Sequence, residues 1–287
     1  NLAVAYNSTF SYSLVQVGEE QFIVSAMLLS VVAEKCGWQD YQIVRSLDGE
    51  HLKSVEYQHP FCNRTGKLFP GDNFVTNDTG TGFVHIAPGH GTDDYNIGRA
   101  NGLPIYSPVN DDGALAYTND FPVEYQFPAE MLGKSTLAKH GKSDANEAVL
   151  HELRVRKALL HQENYHHSYP HCWRSKTPII FRAMDQWFIR IDAATVFSTD
   201  ESQARSFRQD ALAEIDRVSW IPDWGVNRIK GAVQSRPDWC ISRQRTWGVP
   251  IPAFYAAKGE AILDAQIVRN AADLIEKHGS NVWFEKS

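Results

Sequence analysis

Apolar and polar positions alternate along the first part of the chain, the period of a strand with one buried face. Leu2, Val4 and Tyr6 form one such run, Tyr12, Leu14, Val15 and Val17 a second, and Phe22 and Val24 a third. Gly18-Glu19-Glu20 is a turn between the last two, so the pattern predicts a hairpin or meander. The period then changes. Ser25 is placed to cap a short helix with Met27, Leu28, Val31 and Val32 inward, and Gly37 to end it. Tyr41 to Leu47 and Leu52 to Tyr57 return to strand character, joined by Asp48-Gly49, a strong hairpin-turn signal. Phe69-Pro70-Gly71-Asp72 is another turn, and Phe83 to Ala87 is a short apolar run of the buried-strand kind. Tyr95 to Ala100 reads as a short helix stopped by Asn101-Gly102. By this pattern the first ~140 residues are a closed or nearly closed β-barrel with two or three short helices.

Beyond residue 129 the character shifts. Val149, Leu150, Leu153, Val155, Leu159 and Leu160 recur at helical spacing after Lys142. Ala204 to Ile215 is helical, Trp220 to Val226 is loop, and residues 264–277 form a last helix with Ile267, Ala271, Leu274 and Ile275 on one face. The fold class is therefore α+β. A strand-rich, barrel-like domain over 1–145 precedes a mixed helical and strand segment over 146–287.

Composition narrows the class. The chain has 287 residues, 43% of them apolar, and a net charge of −6, which excludes a strongly basic nucleic-acid binder of the repressor type but not a local basic patch. No apolar run is long enough to span a membrane. Cys36, Cys62, Cys172 and Cys240 are far apart with no CxxC, the usage of reduced thiols in the cytoplasm. The chain opens on Asn1 with no Met and carries no signal peptide, as an excised fragment would.

The chemistry concentrates in Thr79 to Gly98, TGTGFVHIAPGHGTDDYNIG. The layout predicted is turn, strand, Pro-Gly-His-Gly loop, then a helix capped by Thr92 or Asp93. The loop at the strand's end carries His85, His90, Asp93 and Asp94. Three readings compete. In one, the acids only cap the helix. In another, His85, His90 and an Asp hold a metal, although the spacing of the histidines fits no helical ligand pair and no second cluster is near. In the third, a carboxylate grips a cationic group while a His shapes the pocket.

This stretch resembles the signature of the editing domain of class I aminoacyl-tRNA synthetases for branched aliphatic amino acids, in its isoleucyl form GTGxVHxAPGHGxDDYxIG. Valyl enzymes carry Lys and leucyl enzymes Met where His85 stands. Two further stretches are similar to the isoleucyl and valyl enzymes: YPHCWRSKTPIIFRAMDQWFIRI over Tyr169 to Ile191, and DWCISRQRTWGVPIP over Asp238 to Pro252. Valyl enzymes usually read RQLWWG where this chain reads RQRTWG.

The resemblance implies a barrel inserted in a catalytic domain, and hydrolysis of misacylated Val-tRNA(Ile). It implies that Asp94 holds the α-ammonium of the misactivated valine and His85 lines the side-chain pocket. Gly89, His90 and Gly91 would offer contacts to the ester or the terminal ribose, and Asp93 would cap. Gln244 and Trp247 would lie nearest the aminoacyl-adenylate pocket. The implied partners are the 3′ end of tRNA(Ile) and the rest of the synthetase chain. ATP and Mg belong to the full-length enzyme, and the fragment needs no cofactor or metal. HIGH and KMSKS are nowhere in the sequence, so adenylate formation is not expected of it. The Thr-rich peptide close to TTTPWT, which in the family precedes the position of Asn1, is missing too, so weak hydrolysis is expected. His161, His166, His167, His171 and Cys172 suggest zinc, but Ser175 stands where some relatives place a second Cys. The rival readings are a valyl editing domain clearing Thr-tRNA(Val), a free-standing deacylase, a metallohydrolase, and a non-catalytic tRNA-docking module.

Overall fold

The structure, a computed structural model, describes residues 1–138, 142–194, 205–244, 248–257 and 259–285. The chain forms two compact units, residues 1–183 and 184–287. The first unit is built on β1 (Ala3–Tyr6), which lies between β6 (Thr65–Pro70), parallel to it, and β7 (Phe83–Ile86), antiparallel. β5 (Glu56–Gln58) flanks β6, giving the order β5-β6-β1-β7. The alternation in β1 separates two cores as its period requires. Ala3 and Ala5, both fully buried, pack with Val75 and Ile86, and Phe69, Ile97 and Leu103 close over them. Tyr6, on the other face, packs with Tyr12, Leu52 and Leu68.

A second, antiparallel sheet has β2 (Ser11–Val17) at its centre, between β3 (Glu20–Ser25) and β4 (Gln42–Asp48). The hairpin expected at Gly18 forms, with the glycine at φ +59° in the left-handed region. The expected barrel does not form. β5 and β7 end one sheet, β3 and β4 end the other, and no strand pairing joins the two among the described residues. The reason is the parallel β1–β6 pair. Parallel neighbours need a long crossover, and here the intervening chain folds as a sheet of its own.

Two local expectations also change. Asp48-Gly49 does not close a hairpin: β4 pairs with β2, β5 pairs with β6, and Gly49–Leu52 is a 3₁₀ turn between them. Gly49 is needed because its Cα passes over the carbonyls of Asn7 and Ser8, where a Cβ would collide. α1 (Leu29–Cys36) ends at a left-handed Gly37 as predicted, but Ser25 does not cap it. Leu28 and Val32 are buried, while Met27 is 74% exposed and Val31 43% exposed.

Tyr12 ties the two sheets together. Its hydroxyl accepts the Asn7 N–H at 2.9 Å and donates to the Gly82 carbonyl at 3.0 Å, just before β7. Tyr12→Phe leaves a buried N–H unpaired, so a loss of about 1–3 kcal/mol is expected from the urea unfolding curve. A change within error would show that the hydroxyl does not hold β7.

α3 (Asp144–Val155) is capped by Ser143, whose hydroxyl accepts the Asn146 N–H. Ala148 and Val149 of this helix pack on Cys62, Phe127 and Met131. The expected boundary at 145/146 thus falls inside the first unit, at the start of a helix packed against it.

In the second unit α4 (Phe207–Arg217), with a Ser206 capping box, replaces the expected 204–215 helix. α5 (Gly225–Gln234) begins inside the stretch expected as loop. α6 (Ala265–His278) is capped by Asp264. Among the described residues, no helix is long and apolar enough to cross a membrane.

Candidate functional site

β7 runs into the loop 87–91 and then into α2 (Thr92–Ala100). The helix is capped by the backbone of Gly91; neither Thr92 nor Asp93 caps it, and Asp93 is exposed. The third helical residue, Asp94, turns back over the loop. Its Oδ1 accepts the Ala87 N–H at 2.7 Å, bridging the end of the strand to the start of the helix. Its Oδ2 lies above Gly91, where a Cβ would strike it. The carboxylate is half-buried.

The loop is clamped from outside. The Gly89 Cα abuts the Tyr106 backbone, leaving no room for a Cβ, and the Gly89 carbonyl accepts the Ala183 N–H at 2.7 Å. The His90 N–H donates to the Ala87 carbonyl at 2.8 Å, so it cannot also face a substrate ester. Its Nδ1 lies 2.9 Å from the Phe181 carbonyl, which fixes the hydrogen on Nδ1. Burial lowers the His90 pKa, and this hydrogen bond opposes the shift. His90 therefore joins residues 181–183 to the loop, a link the sequence does not reveal.

His85 lies on β7 opposite Val4 in the register with β1. It is accessible, yet its concave surroundings lower its pKa, chiefly through lost hydration, with Asp94 acting against the shift. His85 borders a cavity of about 400 Å³ whose other lining residues include His59, Arg64 and Tyr106. Asp94 is not among the lining residues, so the two predicted partners sit on one loop system but do not share this cavity.

Sequence reasoning missed His59 and Arg64, which carry no motif; they are placed by long-range packing. Arg64 donates to the carbonyls of Tyr125 and Asn1, both at 3.0 Å, and its guanidinium lies over the rings of Tyr106 and Phe121. His59 is 5% exposed, and its Nδ1 accepts the N–H groups of Phe61 at 3.3 Å and Cys62 at 3.1 Å. Burial, helped by the Arg64 charge, lowers its pKa to about 3.

The unfolded chain protonates this ring near its ordinary value of 6.5 while the folded chain does not until about 3. Stability from His59 is thus fully present above pH 6.5 and falls as pH drops towards 3, by about 1.4 kcal/mol per pH unit. Urea midpoints at pH 7 and pH 5 should show this drop in the parent and a smaller one in His59→Gln. Equal drops would remove His59 from the account.

In the second unit Gln244 donates to the Met184 sulfur at 3.3 Å. Trp247 lies outside the described residues. His161, His166, His167 and His171 are exposed. Among the described residues, no group of three or more His, Cys, Asp or Glu is placed to hold a metal ion.

Comparison with known proteins adds the family. Residues 6–287 match the family described as tRNA synthetases class I (I, L, M and V). The isoleucine–tRNA ligase of Methylacidiphilum infernorum is 45% identical over 285 residues, 99% of this chain and 28% of that protein. That of Persephonella marina is 42% identical over 289 residues, 100% of this chain and 28% of that protein. The chain thus spans 28% of the length of these curated relatives. A solved structure described as "The crystal structure of GlLeuRS-CP1" aligns with 36% of this chain and 44% of its own at 20% identity and a TM-score of 0.29, too partial a likeness to bear on the argument. The match over nearly its whole length means that this chain belongs to the class I tRNA synthetases of the I, L, M and V group.

Proposed function

We propose that this chain is the editing part of an isoleucyl-tRNA synthetase and hydrolyses Val-tRNA(Ile). The observation that carries the reading is the placement of Asp94. Its carboxylate turns back over the loop that follows β7, one oxygen tied to Ala87 and the other above Gly91. A substrate α-ammonium at Oδ2 would form a charge-assisted hydrogen bond, stronger than a neutral one. Held there, the ester carbonyl is oriented for attack by water, which turns binding energy into positioning.

No Ser or Cys nucleophile is required, because an aminoacyl ester is already activated. His85, neutral and accessible on β7, is suited to border the amino-acid side chain and limit its size. The need for a second selection is that one methylene is worth only about 1–3 kcal/mol in an apolar pocket, an established magnitude for isoleucine against valine rather than one obtained from this structure. The partners are the 3′ end of tRNA(Ile), misactivated valine and the remainder of the synthetase. ATP and Mg serve the ligation reaction of the complete enzyme, and this part works without them in the cytoplasm.

The test is Asp94→Ala in the complete enzyme. Deacylation of Val-tRNA(Ile) should be lost while isoleucine activation is kept. Deacylation at the parent rate would end the assignment.

A further inference from the structure

The cavity beside His85 has no part in the reaction proposed above. Its volume of about 400 Å³ far exceeds the one methylene that separates valine from isoleucine, so it cannot act as a size sieve. Its walls are largely apolar, formed by Phe61, Leu115, Phe127, Met131, Val149 and Leu153. None of its lining residues is Asp or Glu.

Its polar groups have the opposite character. His59 is buried, and both backbone N–H groups on its Nδ1 force that atom to accept, so the ring hydrogen sits on Nε2. Nε2 has no hydrogen-bond partner among the described residues. Arg64 brings a full positive charge, and its Nε is buried with no partner. The Tyr106 hydroxyl already donates to Gln126 Oε1 at 3.3 Å. A buried donor without an acceptor is costly, and an acceptor brought by a ligand relieves that cost.

We propose that this cavity binds a short aliphatic monocarboxylate, its alkyl chain against α3 and residues 127–131 and its carboxylate towards His59 and Arg64. The cavity size is that of an ordinary small-molecule site. A zwitterionic amino acid is a poor ligand, since its ammonium meets no carboxylate in the lining and is repelled by Arg64. The ligand class is therefore distinct from the amino acids that a synthetase handles.

The experiment is a titration of the chain with isovalerate, valine and isobutyl alcohol, followed by NMR of the Val149, Leu153 and Met131 methyl groups. Isovalerate should give saturable shifts and bind at least about tenfold more tightly than the other two, the worth of one charge-assisted hydrogen bond. Val149→Phe, on a half-buried face of α3, should fill the cavity and abolish the shifts with the circular dichroism spectrum unchanged. If that variant does not fold, Leu153→Phe takes its place. Three results would overturn the proposal: no saturable shift at tens of millimolar isovalerate, equal affinity for all three compounds, or undiminished binding in the folded cavity-filling variant. No hydrolysis is read, so this outcome is independent of the fate of the editing assignment.

Discussion

Asp94→Asn in the complete enzyme should lower Val-tRNA(Ile) deacylation by about 10- to 100-fold, and Asp94→Ala should lower it further. The two substitutions remove different things. The carboxylate holds the loop, through Oδ1 to the Ala87 N–H at 2.7 Å, and it also offers negative charge at Oδ2. An Asn amide oxygen can still accept from Ala87, so the loop keeps its shape. What is lost is one charge-assisted hydrogen bond to the substrate ammonium, worth about 1.5–3 kcal/mol. Ala loses the loop anchor as well, and the ester is then misplaced with respect to water. The readouts are kcat/KM for deacylation and hydrogen exchange at the Ala87 amide. Full activity in Asp94→Asn would mean that charge is irrelevant and that no ammonium is bound there. An Ala87 amide equally protected in both variants would mean that the loop does not depend on Asp94.

That dual role explains how much of this site could be read from the chain. Turn, strand, loop and helix over 79–100 follow from glycine, proline and apolar spacing, all local signals, and α2 and β7 fall where those signals put them. The Gly18 and Gly37 turns are legible for the same reason: a left-handed position favours glycine whatever surrounds it. Pairing is different. Alternation in β1 shows which residues face inward but not that β6, some sixty residues on, is its parallel neighbour. Hence a barrel was expected where two sheets form. Gly49 misled because its glycine answers to a close approach by Asn7 and Ser8, not to a hairpin. Val31, with the apolar spacing of a buried position, lies exposed for the same kind of reason: neighbours distant in sequence decide burial. His59 and Arg64 are invisible beforehand because each acquires its character from partners up to sixty residues away.

The two loop glycines should fail in opposite ways. Gly89→Ala is expected to cost about 3 kcal/mol of stability, because its Cβ meets the carbonyl carbon and oxygen of Tyr106, and backbone yields only by shifting its own segment. The Gly89 carbonyl also holds Ala183, so the shift disturbs the 181–183 clamp as well. Gly91→Ala meets no such barrier. Its φ of −165° is extended backbone open to any residue, and the atom in its way is Oδ2 of Asp94, the end of a side chain that can rotate. Stability should change by less than about 1 kcal/mol, since only the bond to Ala87 is perturbed. Deacylation should still fall, because the carboxylate no longer lies where the ammonium is received. Urea unfolding and single-turnover deacylation, run on the same two proteins, separate these predictions. A double-mutant cycle with Asp94→Asn then gives the cause: if Gly91→Ala acts by displacing the carboxylate, its effect on rate should largely vanish once the charge is gone. Additive losses would mean that Gly91 acts on the reaction by some route other than Asp94.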